Sequence, residues 1–152
     1  MSTLISEMQP EVAKKVRAAL AELDSQGVPY AVTYTFRTYA EQAALYAQGR
    51  KPLAVVNAMR NQAGLPAIGQ SENAYTVTNA DGMPKSQGGK GRSPHQLGTA
   101  IDVVPKEGNK PVWPNAHDPR WIQIAAAFKK QGFEWGGEWK DFPDRPHYQY
   151  PA

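Results

Sequence analysis

Glycine and proline crowd the stretch between residues 79 and 98, where Gly82, Gly88, Gly89 and Gly91 are interspersed with Pro84 and Pro94. Regular structure does not survive that density. Glycine loses the most conformational entropy on ordering, and proline lacks the N–H that helices and sheet ladders require. A long loop is expected here, with regular elements on either side. Thirteen glycines and thirteen prolines in 152 residues make loops prominent throughout, and loops commonly carry functional side chains.

Before this loop, Pro10 opens a helix over residues 10–25. Val12, Val16, Ala19, Leu20 and Leu23 fall on one face, and Gly27 and Pro29 end it. Residues 30–36 (YAVTYTF) have the β-branched and aromatic composition of a strand. Thr38 and Glu41 have the spacing of a capping box, so a second helix follows through Ala43, Ala44, Leu45 and Ala47 to Gly49. Residues 51–73 are ambiguous, with a short helix around Ala54–Gln62 and then loop. Residues 74–78 read as a short strand.

Beyond the loop, residues 99–104 return to strand composition. A final helix covers Pro119 to Lys130, with Trp121, Ile124, Ala125 and Phe128 on one face, Asp118 as its N-cap and Gly132 as its stop. Residues 133–135 and 147–150 are short strand candidates around a glycine-rich turn. Helices and strands mix without βαβ alternation. The expected class is α+β, a small, mostly antiparallel sheet flanked by helices, in one domain over residues 1–152.

Composition narrows the function. With 41% hydrophobic and 20% charged residues the chain is globular. There is no cysteine, so disulfides and thiolate chemistry are excluded, and a metal must be held by histidine and carboxylates. The formal charge of +3 comes from scattered basic residues, which fits an anionic polymer but not a phosphate-tracking face; nucleic acid is not an expected partner. No apolar stretch approaches the ~18 residues of a membrane span, and the N-terminus does not read as a Sec-type signal.

Only three histidines occur, at 95, 117 and 147. His95 closes the glycine-rich loop, Asp102 follows seven residues later in a strand, and His147 lies near the C-terminus. Two imidazoles and a carboxylate, with water in the fourth position, make a catalytic zinc arrangement. Spacing alone leaves other readings open: a loop histidine bonded to backbone, or a capping carboxylate. Asp102 interrupts the apolar run Ala100, Ile101, Val103, Val104, and a carboxylate placed there needs a cation or hydrogen-bond donors.

The tract SPHQLGTAID resembles the Ser-x-His-x-x-Gly-x-Ala-x-Asp motif of the D-Ala-D-Ala peptidase family, through Ser93, His95, Gly98, Ala100 and Asp102. That family includes VanX- and VanY-type enzymes and the L-alanyl-D-glutamate peptidases of phage endolysins. A second family element, an acidic residue shortly before a C-terminal histidine, appears as Asp144 and His147. The preceding tract GFEWGGEWKDFPDRPHY resembles the endolysin branch. Arg37 and Gln42, at the start of a helix, match a third element.

The resemblance implies a Hedgehog/D-Ala-D-Ala peptidase-like fold and one Zn2+ ion held by His95, Asp102 and His147. It implies Asp144 as general base, with Glu138 as its rival and Glu134 and Asp141 as weaker ones. Arg37 would stabilise the oxyanion or grip substrate, and Gln42 and Ser93 would contact substrate or support those that do. Ser93 is not a nucleophile on this reading, because His95 would be occupied by the metal. His117 lies outside every element and reads as a loop residue.

The implied activity is hydrolysis of the peptidoglycan stem peptide, at the L-Ala–D-Glu bond in the endolysin branch. A D-Ala-D-Ala carboxypeptidase or dipeptidase is the alternative. Hedgehog domains share the fold and a zinc site, so a non-catalytic cell-wall-binding module is an alternative of another class. The enzyme is expected to be a monomer without membrane insertion, held in the host cytoplasm until it is released to the wall.

Overall fold

The computed structural model describes residues 1–151 and divides the chain into two compact units, Ser2–Phe36 with the chain from Gly98 on, and Arg37–Leu97 with Met1. No helix among the described residues is long and apolar enough to cross a membrane.

The first unit contains helix α1 (Pro10–Ser25), strand β1 (Tyr30–Tyr34), and, after the excursion of the other unit, strands β2 (Ala100–Glu107) and β3 (Lys110–Pro111). Helix α4 (Pro119–Lys130) and strands β4 (Glu134–Trp135) and β5 (His147–Gln149) complete it. The sheet is antiparallel in the order β1-β2-β5-β4, and β3 pairs with β2. Strand alternation sorts the side chains of β2 and β5. Ile101, Val103 and Tyr148 join Val12, Val16, Leu23, Ile124 and Phe128 in the core that α1 and α4 build. Tyr148 stacks on Phe128 with ring centroids 4.4 Å apart, and Phe133 meets Phe128 edge-on at 5.3 Å. Each such side chain contributes roughly 1.5–3 kcal/mol by leaving water.

Asp118 caps α4 as expected, accepting from the Arg120 N–H at 2.9 Å, and Pro119 occupies the first turn. Two boundaries differ from expectation. β1 stops at Tyr34, after a register shift between Val32 and Tyr34. β2 runs on to Glu107, because Gly108 at φ 60° lets the chain turn back and pair Lys106 with Pro111. That hairpin was not anticipated, although Gly108-Asn109 between the two strands was its signal.

The second unit contains helices α2 (Tyr39–Ala47) and α3 (Leu53–Gln62). The capping box of α2 is present in both directions: Thr38 Oγ1 accepts from the Glu41 N–H at 3.1 Å, and Glu41 Oε1 accepts from the Thr38 N–H at 3.0 Å. Helix α3 settles the ambiguous segment. Its Asn57 side chain exchanges two hydrogen bonds with the Ile68 backbone, and Arg60 donates to the Pro66 carbonyl, folding residues 63–69 against the helix.

Residues 74–78 are not a strand, which corrects the expectation. A 3-10 turn occupies Glu72–Ala74, and an irregular segment follows. Side chains take the place of a neighbouring strand: Gln48 donates to the Glu72 carbonyl and Arg50 to that of Thr78. Gly49, at φ 79°, permits the approach, since a Cβ there would stand 2.6 Å from the Tyr75 carbonyl carbon. The glycine-rich loop is a loop, closed on itself by Gly82 N–H to the Gly91 carbonyl and Gly91 N–H to the Met83 carbonyl.

Candidate metal centre

His147 opens β5 and is the register partner of Asp102 on β2. Directly opposed residues of antiparallel strands project from the same face. The His147 Nδ1 therefore lies 3.3 Å from the Asp102 Oδ1. Ligand atoms bound at ~2.0–2.1 Å to a tetrahedral zinc stand about 3.4 Å apart, so this pair already has the spacing of adjacent ligands.

Electrostatics at the pair favour a cation. Burial alone would lower the pKa of the His147 ring. The hydrogen bond and charge of Asp102 outweigh it, helped by the hydrogen bond with Gln149 and the charge of Asp144, and the pKa rises above its ordinary 6.5. A proton or a metal ion would answer the same field.

The turn before His147 is held from below by glycine. The Asp144 N–H donates to the Gly136 carbonyl at 2.8 Å, and the His147 N–H donates to the Asp144 carbonyl at 3.2 Å. A Cβ on Gly136 would lie 2.4 Å from the Asp144 carbonyl oxygen and 3.2 Å from the His147 Cβ. The Trp135 indole adds a bond to the Arg145 carbonyl at 2.8 Å. Asp144 is thus an exposed carboxylate fixed by its backbone three residues ahead of His147. Its rival Glu138 is paired with Lys129 at 2.8 Å, Glu134 accepts from Trp139 and Gln149, and Asp141 is exposed.

In the Arg37–Leu97 unit, Ser93 and His95 are buried near the end of the glycine-rich loop. The Ser93 Oγ accepts from the His95 N–H at 3.2 Å, and the Arg37 N–H donates to the His95 carbonyl at 3.2 Å. Arg37 Nη1 donates to Gln42 Oε1 at 2.9 Å. Gln42, fully buried on α2, donates in turn to the Ala80 carbonyl at 2.7 Å and to Thr78 Oγ1 at 3.1 Å. Its amide therefore ties the guanidinium to the loop.

Asp102 and His147 are paired candidate ligands in one unit, and the buried His95 is the candidate ligand of the other. The donor set of two imidazoles and a carboxylate suits zinc. His117 is apart from them, exposed in the turn before α4, where its N–H donates to Asn115 Oδ1. Gln149 was not singled out from sequence, whereas Gly136 and Trp139 fall in the tract that resembles the endolysin branch. The strand register that sets Gln149 beside Glu134 has no signature of its own in the residue pattern.

Comparison with known proteins finds similar peptidases. A family profile described as D-alanyl-D-alanine carboxypeptidase matches residues 87–150. Over that span the chain resembles this peptidase family. For the D-alanyl-D-alanine carboxypeptidase family, the matched span here contains His95, Asp102, Asp144 and His147. One similar protein is the peptidoglycan L-alanyl-D-glutamate endopeptidase CwlK of Bacillus subtilis, 29% identical over 95% of this chain and 74% of that one. An L-alanyl-D-glutamate peptidase of a Listeria phage is 39% identical over 39% of this chain and 21% of its own length. Among solved structures, the L-Ala D-Glu endopeptidase ChiX of Serratia marcescens superposes with a TM-score of 0.56 at 25% identity, covering 97% of this chain and 83% of that one.

Proposed function

We propose that the protein is a zinc-dependent endopeptidase that cuts the stem peptide of bacterial peptidoglycan between L-Ala and D-Glu. The observation that carries this reading is the pairing of Asp102 with His147 at 3.3 Å, with the Asp144 turn immediately before that histidine. The names of CwlK, ChiX and the Listeria phage peptidase support the bond assigned.

One zinc ion held by His95, Asp102 and His147 would polarise the scissile carbonyl and lower the pKa of a water from about 15.7 to about 7. The chain's own residues do the rest. The Asp144 carboxylate accepts a proton from the attacking water and returns it to the leaving amine of D-Glu. The Arg37 guanidinium, oriented by Gln42, donates hydrogen bonds to the carbonyl oxygen as negative charge grows there. Ser93 supports the loop that presents His95 through the bond to its N–H. The working form is a monomer acting at the cell wall.

A second reading, removal of a terminal D-Ala, has the description of the matching family in its favour. Incubation with purified peptidoglycan, with and without chelator, followed by mass spectrometry of the fragments, decides between them. Chelator-sensitive appearance of D-Glu amino termini is the expected result. Release of free D-Ala would transfer the enzyme to the carboxypeptidase reading. No cleavage by zinc-loaded, folded protein would leave a wall-binding module.

A further inference from the structure

Basic residues scattered in the sequence are not distributed evenly by the fold. In the unit that holds Ser2–Phe36 and the chain from Gly98 on, cations meet carboxylates: Lys129 pairs with Glu138, Lys130 with Glu22, and Arg120 with Asp118 and Glu107. In the Arg37–Leu97 unit, seven basic residues stand against three acidic ones. All three acids are engaged by backbone N–H groups. Glu41 closes the cap of α2, Glu72 Oε1 accepts from Gly69 at 3.1 Å, and Asp81 Oδ1 accepts from Met83 and Lys90 at 2.9 and 3.0 Å. Arg50, Lys85 and Lys90 are exposed, and none of them forms an ion pair among the described residues.

These three cations are gathered by the fold. The Arg50 guanidinium carbon lies 3.9 Å from the centroid of the Tyr46 ring, and Lys90 Nζ, from the end of the glycine-rich loop, lies 5.9 Å from the same centroid. Their charges are therefore no more than about 10 Å apart, one Debye length at 0.1 M salt. The stem of Lys85 crosses the residue after Lys90, since a Cβ on Gly91 would meet Lys85 Cε at 3.4 Å. Arg50 donates to the carbonyls of Tyr46 and Thr78 and to Asn79 Oδ1, all neutral acceptors, so it is held in place with its charge intact. The face of one tyrosine offsets only part of the repulsion among such neighbours. An uncompensated field of one sign draws an oppositely charged polymer.

We infer that Arg50, Lys85 and Lys90 form an electrostatic docking surface for uncut peptidoglycan, held by the carboxylates of its stem peptides. The partner's identity rests on the wall-degrading reading above; the uncompensated charge does not. Stem peptides repeat along the wall and present carboxylates at many points. Lysines on flexible stems suit such repeated charges, gripped by several weak contacts at once, better than a single anion in a shaped pocket.

The experiment is co-sedimentation of the folded full chain with purified sacculi stripped of phosphate-containing polymers, with chelator to keep the wall intact. Wild type should sediment at low salt and be released near 1 M salt, where the Debye length is about 3 Å. Lys85→Gln with Lys90→Gln should bind roughly 2- to 30-fold more weakly, the scale of two exposed charge pairs, and Lys85→Arg with Lys90→Arg should bind as wild type does. Arg50 stays in place in these variants because it also holds Thr78 and Asn79. Amidation of the sacculus carboxylates should remove the difference between wild type and the glutamine variant. Cleavage of a short soluble stem peptide should be unchanged in both variants, since neither lysine has a part in the mechanism above. Equal sedimentation of wild type and the glutamine variant, undiminished binding to amidated sacculi, or binding only to walls that keep their phosphate polymers would overturn the inference. Salt-sensitive binding by a zinc-loaded protein that cleaves nothing would leave the docking surface standing and remove the peptidase reading instead.

Discussion

Tyr148 stacks on Phe128 in the core while the residue before it, His147, faces Asp102 across the strand pair. One step along β5 separates the packing that anchors the strand from the chemistry it presents. Phe128→Ala would leave a cavity beneath Tyr148 and should cost about 3–5 kcal/mol. Thermal or denaturant unfolding measures it. A loss below about 1 kcal/mol would mean that the stack does not anchor β5.

Gly136 should tolerate no side chain. Its added Cβ would meet the Asp144 carbonyl oxygen at 2.4 Å, a backbone atom that cannot swing aside. Gly136→Ala should displace the turn carrying Asp144 and His147 and reduce kcat/KM by about 100-fold, the scale expected for a misplacement of about 1 Å. Steady-state assays on wall fragments check this. The substitution would meet no such obstacle at Gly27, where nothing lies within 4 Å, although the left-handed backbone there carries its own strain.

Asp144→Asn should lower kcat by about 100- to 10,000-fold, the range for loss of a positioned acid–base group. Zinc binding should persist, because the proposed ligands are elsewhere. Near-normal turnover would pass the role to another carboxylate. Arg37→Lys should cost about 100- to 1,000-fold in kcat, since a point charge replaces the planar fork that Gln42 orients.

The response to pH should differ in sign between the zinc-free and zinc-loaded protein. The raised pKa of His147 stabilises the zinc-free fold fully below the unfolded value of 6.5, and this is lost as pH rises through the higher folded value. Zinc competes with that proton, so metal affinity rises over the same window. The increase in Tm on adding zinc should therefore grow from about pH 5.5 to about pH 8. Asp102→Asn should flatten the response of the zinc-free protein. A zinc effect greatest at acid pH would contradict the assignment of His147.

Much of this was legible before any coordinates. The apolar faces of α1 and α4 carry a helical period, and Thr38 and Glu41 announce the cap of α2. Asp102 stood out as a carboxylate inside an apolar run, and it does meet a polar partner in the His147 ring at 3.3 Å. Residues 74–78 misled because their β-branched and aromatic composition suits a strand. The partners of that segment are the side chains of Gln48 and Arg50, which no periodicity records. Gln149 was illegible for a related reason: its place opposite Glu134 comes from strand register, and register is a property of pairing, not of either strand alone.

The sheet ends on both sides in strands that offer little to a neighbour. β4 is two residues long and runs directly into a 3-10 turn at Gly136–Glu138, and β1 is five residues long with a break in register before its end. Short and irregular margins expose few open backbone groups for another chain to pair with. The protein should therefore remain dispersed at high concentration, and a substitution that straightened β1 or lengthened β4 would favour aggregation even with the metal centre unchanged.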